Sequence, residues 1–277
     1  MGDILAMFRL DGKAAVLTGG GGILAAGMAE ALGLAGARVA LCDLFPDKAE
    51  AVAKHLSGLG IDARAYKMDV MDPAAIRTVA ETIYSDLGRV DVLVNAAGGN
   101  QKAATTAPDL SFFDIELEPL QKVIGLNLFG GAILPSQAFG RRMKDQPEGG
   151  SIINISSMSA YRPLTRIAGY SAAKAAVSNF TQWLAVHLAQ EYNPKLRVNA
   201  IAPGFFLTDQ NRFLLTDEKT GELTARGRQV IDHTPMGCFG DASDLNGVTL
   251  WLASPASRFV TGTVVPIDGG FSAFSGV

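Results

Sequence analysis

KAAVLTGGGGILAAGMAEALGLAGARVALCD, residues Lys13 to Asp43, decides the fold. Lys13 to Leu17 is a short apolar run, Thr18 to Gly22 a glycine turn, and Leu24 to Leu34 carries Ala, Met and Leu at helical spacing. Gly36 closes that helix, and Arg38 to Asp43 returns to an apolar strand pattern. Strand, turn, helix and strand in this order form a βαβ unit, whose two strands can only be parallel neighbours joined by a covering helix.

Outward from this unit the alternation continues. Helices are predicted over Pro46 to Leu56, Pro73 to Leu87, most of Pro119 to Met143, Ala168 to Glu191 and Ala242 to Ala253. Strands are predicted over Ala63 to Met68, Val90 to Asn95, Ser151 to Ser156, Leu196 to Ile201 and Val264 to Ile267. The expected fold class is α/β: one doubly wound, Rossmann-type parallel sheet of about seven strands with helices on both faces. One stretch, Phe205 to Phe239, breaks the rhythm with charges and no clean period. Long irregular segments in compact domains are usually lids or binding loops, so a substrate lid is expected at about 205–239. With no linker composition or internal repeat, residues 1–277 read as one domain.

The composition narrows the partners. Of 277 residues, 24 are Lys or Arg and 27 are Asp or Glu, a net charge of -3 with the basic residues scattered. That balance supplies no footprint for nucleic acid or an anionic membrane, and a small-molecule partner is expected. No apolar run reaches the roughly 18 residues of a membrane span. MGDILAMFRL at the N-terminus lacks the basic and apolar regions of a secretion signal, so a cytoplasmic protein is expected. Cys42 and Cys238 form neither a CxxC pair nor a cluster with histidine, which leaves no zinc or redox motif and no metal site.

Glycines between a first strand and its helix allow a tight turn and open the backbone N–H groups to a pyrophosphate at the helix N-terminus. Gly19, Gly21, Gly22, Ile23 and Leu24 stand in that position. Asp43 closes the second strand near the spacing at which a carboxylate accepts hydrogen bonds from an adenosine ribose and repels a 2′-phosphate. Leu44 and Phe45 follow it without an adjacent cation, so the expected cofactor is NAD rather than NADP. Asp69 and Val70 end the third strand where an adenine would lie, and Asn95, Ala96, Ala97 and Gly98 end the fourth with small residues. All these positions fall at carboxyl ends of strands, where open α/β sheets bind ligands.

Chemistry is expected from Ser157, Tyr170 and Lys174. Four residues apart on a helix, Tyr170 and Lys174 share one face, and a cation there lowers a phenol's pKa from about 10. Tyr170 then becomes an acid/base, and Ser157 at a strand end can hydrogen-bond the same substrate oxygen.

The Thr18-Gly19 turn, the NAAG segment at Asn95 to Gly98, the Ser157/Tyr170/Lys174 set and Pro203-Gly204 followed by Thr208 resemble the short-chain dehydrogenase/reductase family over essentially the whole chain. That resemblance implies an oxidoreductase with a tetrad completed by Asn127, which holds a water against Lys174. It implies that Lys174 bonds the nicotinamide ribose, that Pro203 and Thr208 fix the carboxamide, and that the protein is a homotetramer. One departure stands out. The family turn reads TGxxxGxG, whereas here Ile23 and Ala25 occupy its second and third glycine positions. Added freedom at Gly20 to Gly22 is the expected compensation for Ile23.

Segments including NAAGGNQKAATT (Asn95 to Thr106), NAIAPGFFLTDQNRFLL (Asn199 to Leu215) and HTPMGCFG (His233 to Gly240) resemble a sugar-acid branch of that family, acting on D-mannonate and D-fructuronate. Such a keto acid needs a cation and polar donors, for which Arg212 and Asn100 are the favoured candidates, with Arg162, Arg166, Met158 and Phe205 beside them. Another sugar-acid or polyol dehydrogenase, such as a gluconate 5-dehydrogenase, is the nearest alternative, and a non-catalytic dinucleotide sensor is a remote one.

Overall fold

The computed structural model describes residues 3–208, 211–217 and 219–276. In chain order it builds β1 (Ala14–Thr18), α1 (Ile23–Leu34), β2 (Arg38–Asp43), α2 (Pro46–Gly58), β3 (Ala63–Lys67), α3 (Pro73–Leu87) and β4 (Val92–Asn95). The second half contains α4 (Leu117–Ile124), a π-helical segment (Gly125–Ile133), α5 (Leu134–Met143), β5 (Gly150–Ile155), α6 (Ala168–Glu191) and β6 (Leu196–Pro203). A single turn α7 (Arg212–Leu215), α8 (Ala225–Asp232), α9 (Asn246–Ala253) and β7 (Val264–Ile267) complete it. The seven strands form one parallel sheet in the order β3-β2-β1-β4-β5-β6-β7, the expected doubly wound class.

Burial on both faces explains the strand sequences. Every residue of β1 and of β6 is buried, which suits continuous apolar runs rather than alternation. On α1 the buried positions Ala25, Met28, Ala29, Leu32 and Gly33 recur at helical spacing and form the stripe that covers the sheet. The strand order reverses between β1 and β4, and register aligns Thr18, Asn95 and Asn154 across β1, β4 and β5 at the carboxyl edge. A crevice outside such a reversal is where this architecture receives a ligand.

Two elements depart from expectation. The helix predicted as regular over Pro119 to Met143 begins at Leu117 and is π-helical in its middle. There a Cβ on Gly131 would stand 2.5 Å from the Ala97 carbonyl oxygen, so the glycine lets the helix press against the end of β4. Leu117–Met143 as a whole is also long and apolar enough, by length and composition, to cross a membrane, although no uninterrupted apolar run predicted it. More than half of its most apolar window is buried inside the fold, as in a core helix. The second departure is the 205–239 segment, which contains α7 and α8 tied by a bridge between Thr216 and Leu223. Positions 209, 210 and 218 of that segment lie outside the described residues.

Candidate active site

The glycine turn presents a cradle. Gly22 caps α1 without a side-chain hydrogen bond, which leaves the first-turn N–H groups of Ile23, Leu24 and Ala25 without side-chain partners. Such groups, with the helix dipole behind them, attract a pyrophosphate. Gly19 has φ +64°, and a Cβ there would lie 2.9 Å from Ala97 Cα, so both backbone conformation and space demand glycine. Ile23 is 41% exposed.

The extra glycines do not add freedom, contrary to expectation. None of Gly20, Gly21 or Gly22 has positive φ. Gly21 instead makes room: a Cβ would meet Lys48 Cβ at 2.5 Å and Asp43 Oδ2 at 3.1 Å. Its N–H donates to Asp43 Oδ2 at 3.0 Å, and Phe45 N–H donates to Asp43 Oδ1 at 2.9 Å. The carboxylate at the end of β2 is thereby held in place with lone pairs to spare. Leu44 is 47% exposed beside it. Lys48, four residues into the chain after Leu44, is a cation at this end of the crevice that sequence reading missed.

At the third strand end, Asp69 Oδ1 accepts Met71 N–H at 2.8 Å, and Val70 is buried where it limits the approach of Gly130. At the fourth, Thr18 Oγ1 accepts the N–H groups of Ala96 and Ala97. The side chain of Asn95 points away from the crevice. It is wholly buried and donates to Ser136 Oγ and Asn154 Oδ1, while Asn154 donates to Thr181 Oγ1. This buried polar network fixes β4, β5 and α6 beneath the crevice, so Asn95 acts under the floor rather than on it.

Gly98 marks the convergence of the reactive groups. A Cβ there would stand 2.8 Å from Asn127 Oδ1 and 3.3 Å from Lys174 Nζ. Lys174 is 3% exposed, its Nζ donates to the Ile155 carbonyl at 2.8 Å, and it lies 5.6 Å from the centre of the Tyr170 ring. Burial lowers the Lys174 ammonium to about 8. Burial also raises the Tyr170 phenol above its ordinary range, with hydrogen bonding to Ser157 acting in the opposite direction. This reverses the expected depression of Tyr170 by its neighbouring cation: the cost of desolvating a phenolate outweighs the charge of a lysine that is itself desolvated. Tyr170 therefore holds its proton at neutral pH.

Asn127, in the π-helical segment, is spoken for. Its Nδ2 donates to the Gly99 carbonyl at 2.6 Å and to the Val123 carbonyl at 2.8 Å, and its Oδ1 accepts Gly99 N–H at 3.2 Å. Both amide hydrogens are used, so the side chain clamps the Gly98-Gly99 loop, and a water held by Asn127 against Lys174 would donate to an oxygen of this residue.

Beyond Ser157, the chain runs through Arg162 and Arg166 to α6. A cavity of about 310 Å³ lies between this loop and the 205–239 segment, lined by Arg162, Phe205, Arg226, Gln229, His233 and Phe271 among others. A second, of about 530 Å³, opens on the other side of Arg162, against Tyr161, Pro266 and Ser272. Phe205 packs on Phe271 with ring centres 5.2 Å apart. Pro203 ends β6 and leads into this wall, and Thr208 N–H donates to Asn211 Oδ1. Arg166 is the one non-glycine residue with positive φ among the described residues, at 83°. That conformation costs an L-residue about 1–2 kcal/mol, and the Arg166 carbonyl accepting Thr106 N–H at 2.9 Å helps to hold it.

The favoured substrate residues are displaced from this cavity. Asn100 donates to Thr105 Oγ1 at 2.8 Å within its own loop, Met158 is 1% exposed, and Arg212 is exposed on α7 outside the lining. Arg226, Gln229 and His233 take their place, at i, i+3 and i+7 of one helix face. That spacing was available in the sequence, within a segment whose charges hid its period.

A glycine cradle at the sheet's switch point, a carboxylate held at the end of β2 and a buried lysine beside a protonated tyrosine together fit a dinucleotide-dependent oxidoreductase. A family model described as enoyl-(acyl carrier protein) reductase matches residues 22–272, and the chain belongs to the short-chain dehydrogenase/reductase family. It is 46% identical to the uncharacterized oxidoreductase UxuB of Bacillus subtilis, over 97% of this chain and 98% of that one. A crystal structure from Haemophilus influenzae with bound NAD, provisionally named a D-mannonate oxidoreductase, superposes with a TM-score of 0.90 at 43% identity, covering 99% of this chain and all of that one. A gluconate 5-dehydrogenase from Burkholderia cenocepacia, in complex with NADP and tartrate, gives a TM-score of 0.86 at 31% identity, covering 98% and 100%. The protein is a short-chain oxidoreductase that uses a nicotinamide dinucleotide.

Proposed function

We propose that the protein interconverts a sugar acid and its keto acid, D-mannonate and D-fructuronate, with NAD(H) as the cofactor. The observation that carries this reading is the open, arginine-bearing cavity between the loop that precedes Tyr170 and the segment that follows β6. The high likeness to the NAD-bound protein from Haemophilus influenzae supports the same substrate class.

Bound nicotinamide would supply or accept the hydride. Gly19, Gly21, Gly22, Ile23 and Leu24 would receive the pyrophosphate and Asp43 the adenosine ribose, with Leu44, Asp69 and Val70 about the adenine. Ala96, Ala97, Gly98, Pro203 and Thr208 would frame the nicotinamide end, and Lys174 would bond its ribose. Ser157 orients the substrate oxygen, and Tyr170 delivers a proton to it in reduction or removes one in oxidation. Lys174 places positive charge beside that proton, and Asn127 acts as a positioning residue through Gly99. Asp43, with its two backbone hydrogen bonds, favours NAD because a 2′-phosphate would meet its negative charge.

The 205–239 segment serves as the substrate lid of a single domain. We place the enzyme in the cytoplasm, where unpaired Cys42 and Cys238 remain reduced. Trp183, Val186 and Phe129, each about half exposed, are suited to contacts in a homotetramer.

Oxidation of NADH and NADPH in the presence of D-fructuronate, 5-ketogluconate and an acetoacetyl thioester tests this function. Preferred use of NADH with D-fructuronate is expected. Preference for 5-ketogluconate moves the enzyme to the gluconate dehydrogenases, and preference for the thioester overturns the sugar-acid reading.

A further inference from the structure

The cationic wall of the 310 Å³ cavity has no assigned partner. Arg162, from the loop that joins Ser157 to Tyr170, and Arg226, from α8 on the facing side, line it, and Arg166 follows the lining residue Thr165 on the same loop. Among the described residues, no carboxylate forms a salt bridge with any of the three. Arg162 Nε donates to the Ser272 carbonyl at 3.2 Å, and Arg226 reaches only Gln229 Oε1 at 3.4 Å. Burial, and then the like charge of Arg166, lowers the pKa of Arg226, and Arg162 and Arg226 line one cavity from facing sides with no carboxylate in its lining. Like charges held together raise the free energy of the empty site, and an anion shared between them removes that cost.

The mounts on both sides are firm. Thr224 caps α8, accepting Gly227 N–H at 3.0 Å and donating to the Leu214 carbonyl at 2.7 Å, which ties the turn carrying Arg226 to α7. On the other side Arg166 is kept in a left-handed conformation two residues before α6. Residues held in costly backbone conformations cluster at ligand sites, where the surrounding structure over-determines them.

We propose that Arg226 and Arg162, from opposite walls of the cavity, clamp the carboxylate of the substrate, so that an acid bridges the lid to the loop between Ser157 and Tyr170. A carboxylate is planar and accepts paired N–H donors from guanidinium groups, which a neutral sugar cannot do. Gln229 and His233, along the same face of α8, then meet hydroxyl groups further down the carbon chain. The clamp rests on the sugar-acid reading above and replaces Arg212 and Asn100 as its anchor.

The test is calorimetric titration of the NADH-loaded enzyme with D-mannonate and with D-mannitol, an acid and its neutral counterpart that do not react with reduced cofactor. Wild type is expected to bind the acid at least tenfold more tightly than the polyol. Arg226→Gln and Arg162→Gln should each bring the two ligands within about threefold, Arg226→Lys should restore part of the preference, and Arg228→Gln, on the exposed face of α8, should leave it intact. An unchanged acid preference in both Arg226→Gln and Arg162→Gln, or no preference in wild type, overturns the clamp. Turnover of D-fructuronate, run alongside, separates the two ideas. If wild type reduces it and both variants keep its KM, the clamp fails and the substrate assignment stands. If wild type does not reduce it but binds D-mannonate through Arg226, the assignment fails and the clamp serves another carboxylic acid.

Discussion

The backbone N–H of Gly21 donates to Asp43 Oδ2 at 3.0 Å, joining the glycine turn to the carboxylate at the end of β2. The turn and the Asp43 carboxylate thus form one unit. A side chain at position 21 would press on both Lys48 and Asp43. Gly21→Ala is expected to weaken NADH binding about tenfold, the order of one lost charge-assisted hydrogen bond. Asp43→Ala should lower NADH affinity while improving NADPH relative to it, because Lys48 is then the nearer charge. Fluorescence titration of both nucleotides checks this, and an unchanged NADH/NADPH ratio in Asp43→Ala would show that Asp43 does not discriminate between them.

The protonation states predict a pH profile. Tyr170 carries its proton at neutral pH because burial raises its pKa, and Lys174 loses charge near pH 8 in the absence of ligands. Reduction needs the protonated phenol and should be flat through neutrality, falling at alkaline pH. Oxidation needs the deprotonated form and should rise with pH past 8. Tyr170→Phe should lower kcat by about 10²–10⁴-fold in both directions. Steady-state rates across pH 6–10 in each direction give the comparison, and an oxidative rate that falls over that range would contradict the assignment of Tyr170 as base.

Lys174 is costly to the fold. Its ammonium is lowered from an ordinary 10.5 to about 8, a shift worth about 3 kcal/mol at about 1.4 kcal/mol per unit. The sign follows from proton binding: below pH 8 both folded and unfolded chains hold the proton and the full penalty applies. Between about 8 and 10.5 only the unfolded chain holds it, so stability rises with pH across that window. Lys174→Met should therefore be inactive yet more stable than wild type at pH 7, with its advantage shrinking as pH climbs toward 10.5. Chemical denaturation at pH 7 and pH 10 measures both, and a variant less stable than wild type at pH 7 refutes the desolvation argument.

What could be read from sequence follows the range of the interactions involved. The βαβ unit at Lys13 to Asp43 was legible because strand, turn and helix signals lie within one local stretch, and the spacing of Tyr170 to Lys174 already places them one helical turn apart. The sign of the Tyr170 shift was not legible, since desolvation depends on elements far apart in the chain. The π-helical segment escaped because GLNLFGGAI keeps a helical pattern, and only contact with Ala97 and Gly99 explains its geometry. The burial of the Asn95 side chain was not legible, because a small polar residue at a strand end reads the same whether it faces the crevice or the buried network beneath it. Arg226 was missed for a different reason: its face on α8 has helical spacing, but the surrounding charges and short turns obscured it.

Assembly supplies the last prediction. On α6, Trp183 and Val186 are each 56% exposed, and Trp183 stacks on His187 with ring centres 4.8 Å apart. Phe129, in the π-helical segment packed against α6, is 48% exposed. Large apolar groups grouped on adjoining helices cost free energy in water, and burial against a second copy removes about 25 cal/mol for each Å² covered. Trp183→Glu places a charge in the middle of this face, where pairing would leave it desolvated and without a partner. Wild type is expected to sediment as a tetramer of the 29.1 kDa chain, and Trp183→Glu as a smaller species with its α/β circular dichroism retained. A variant that keeps the wild-type sedimentation coefficient would remove this face from the interface, and a monomeric wild type would leave the exposed aromatic surface without the role assigned to it.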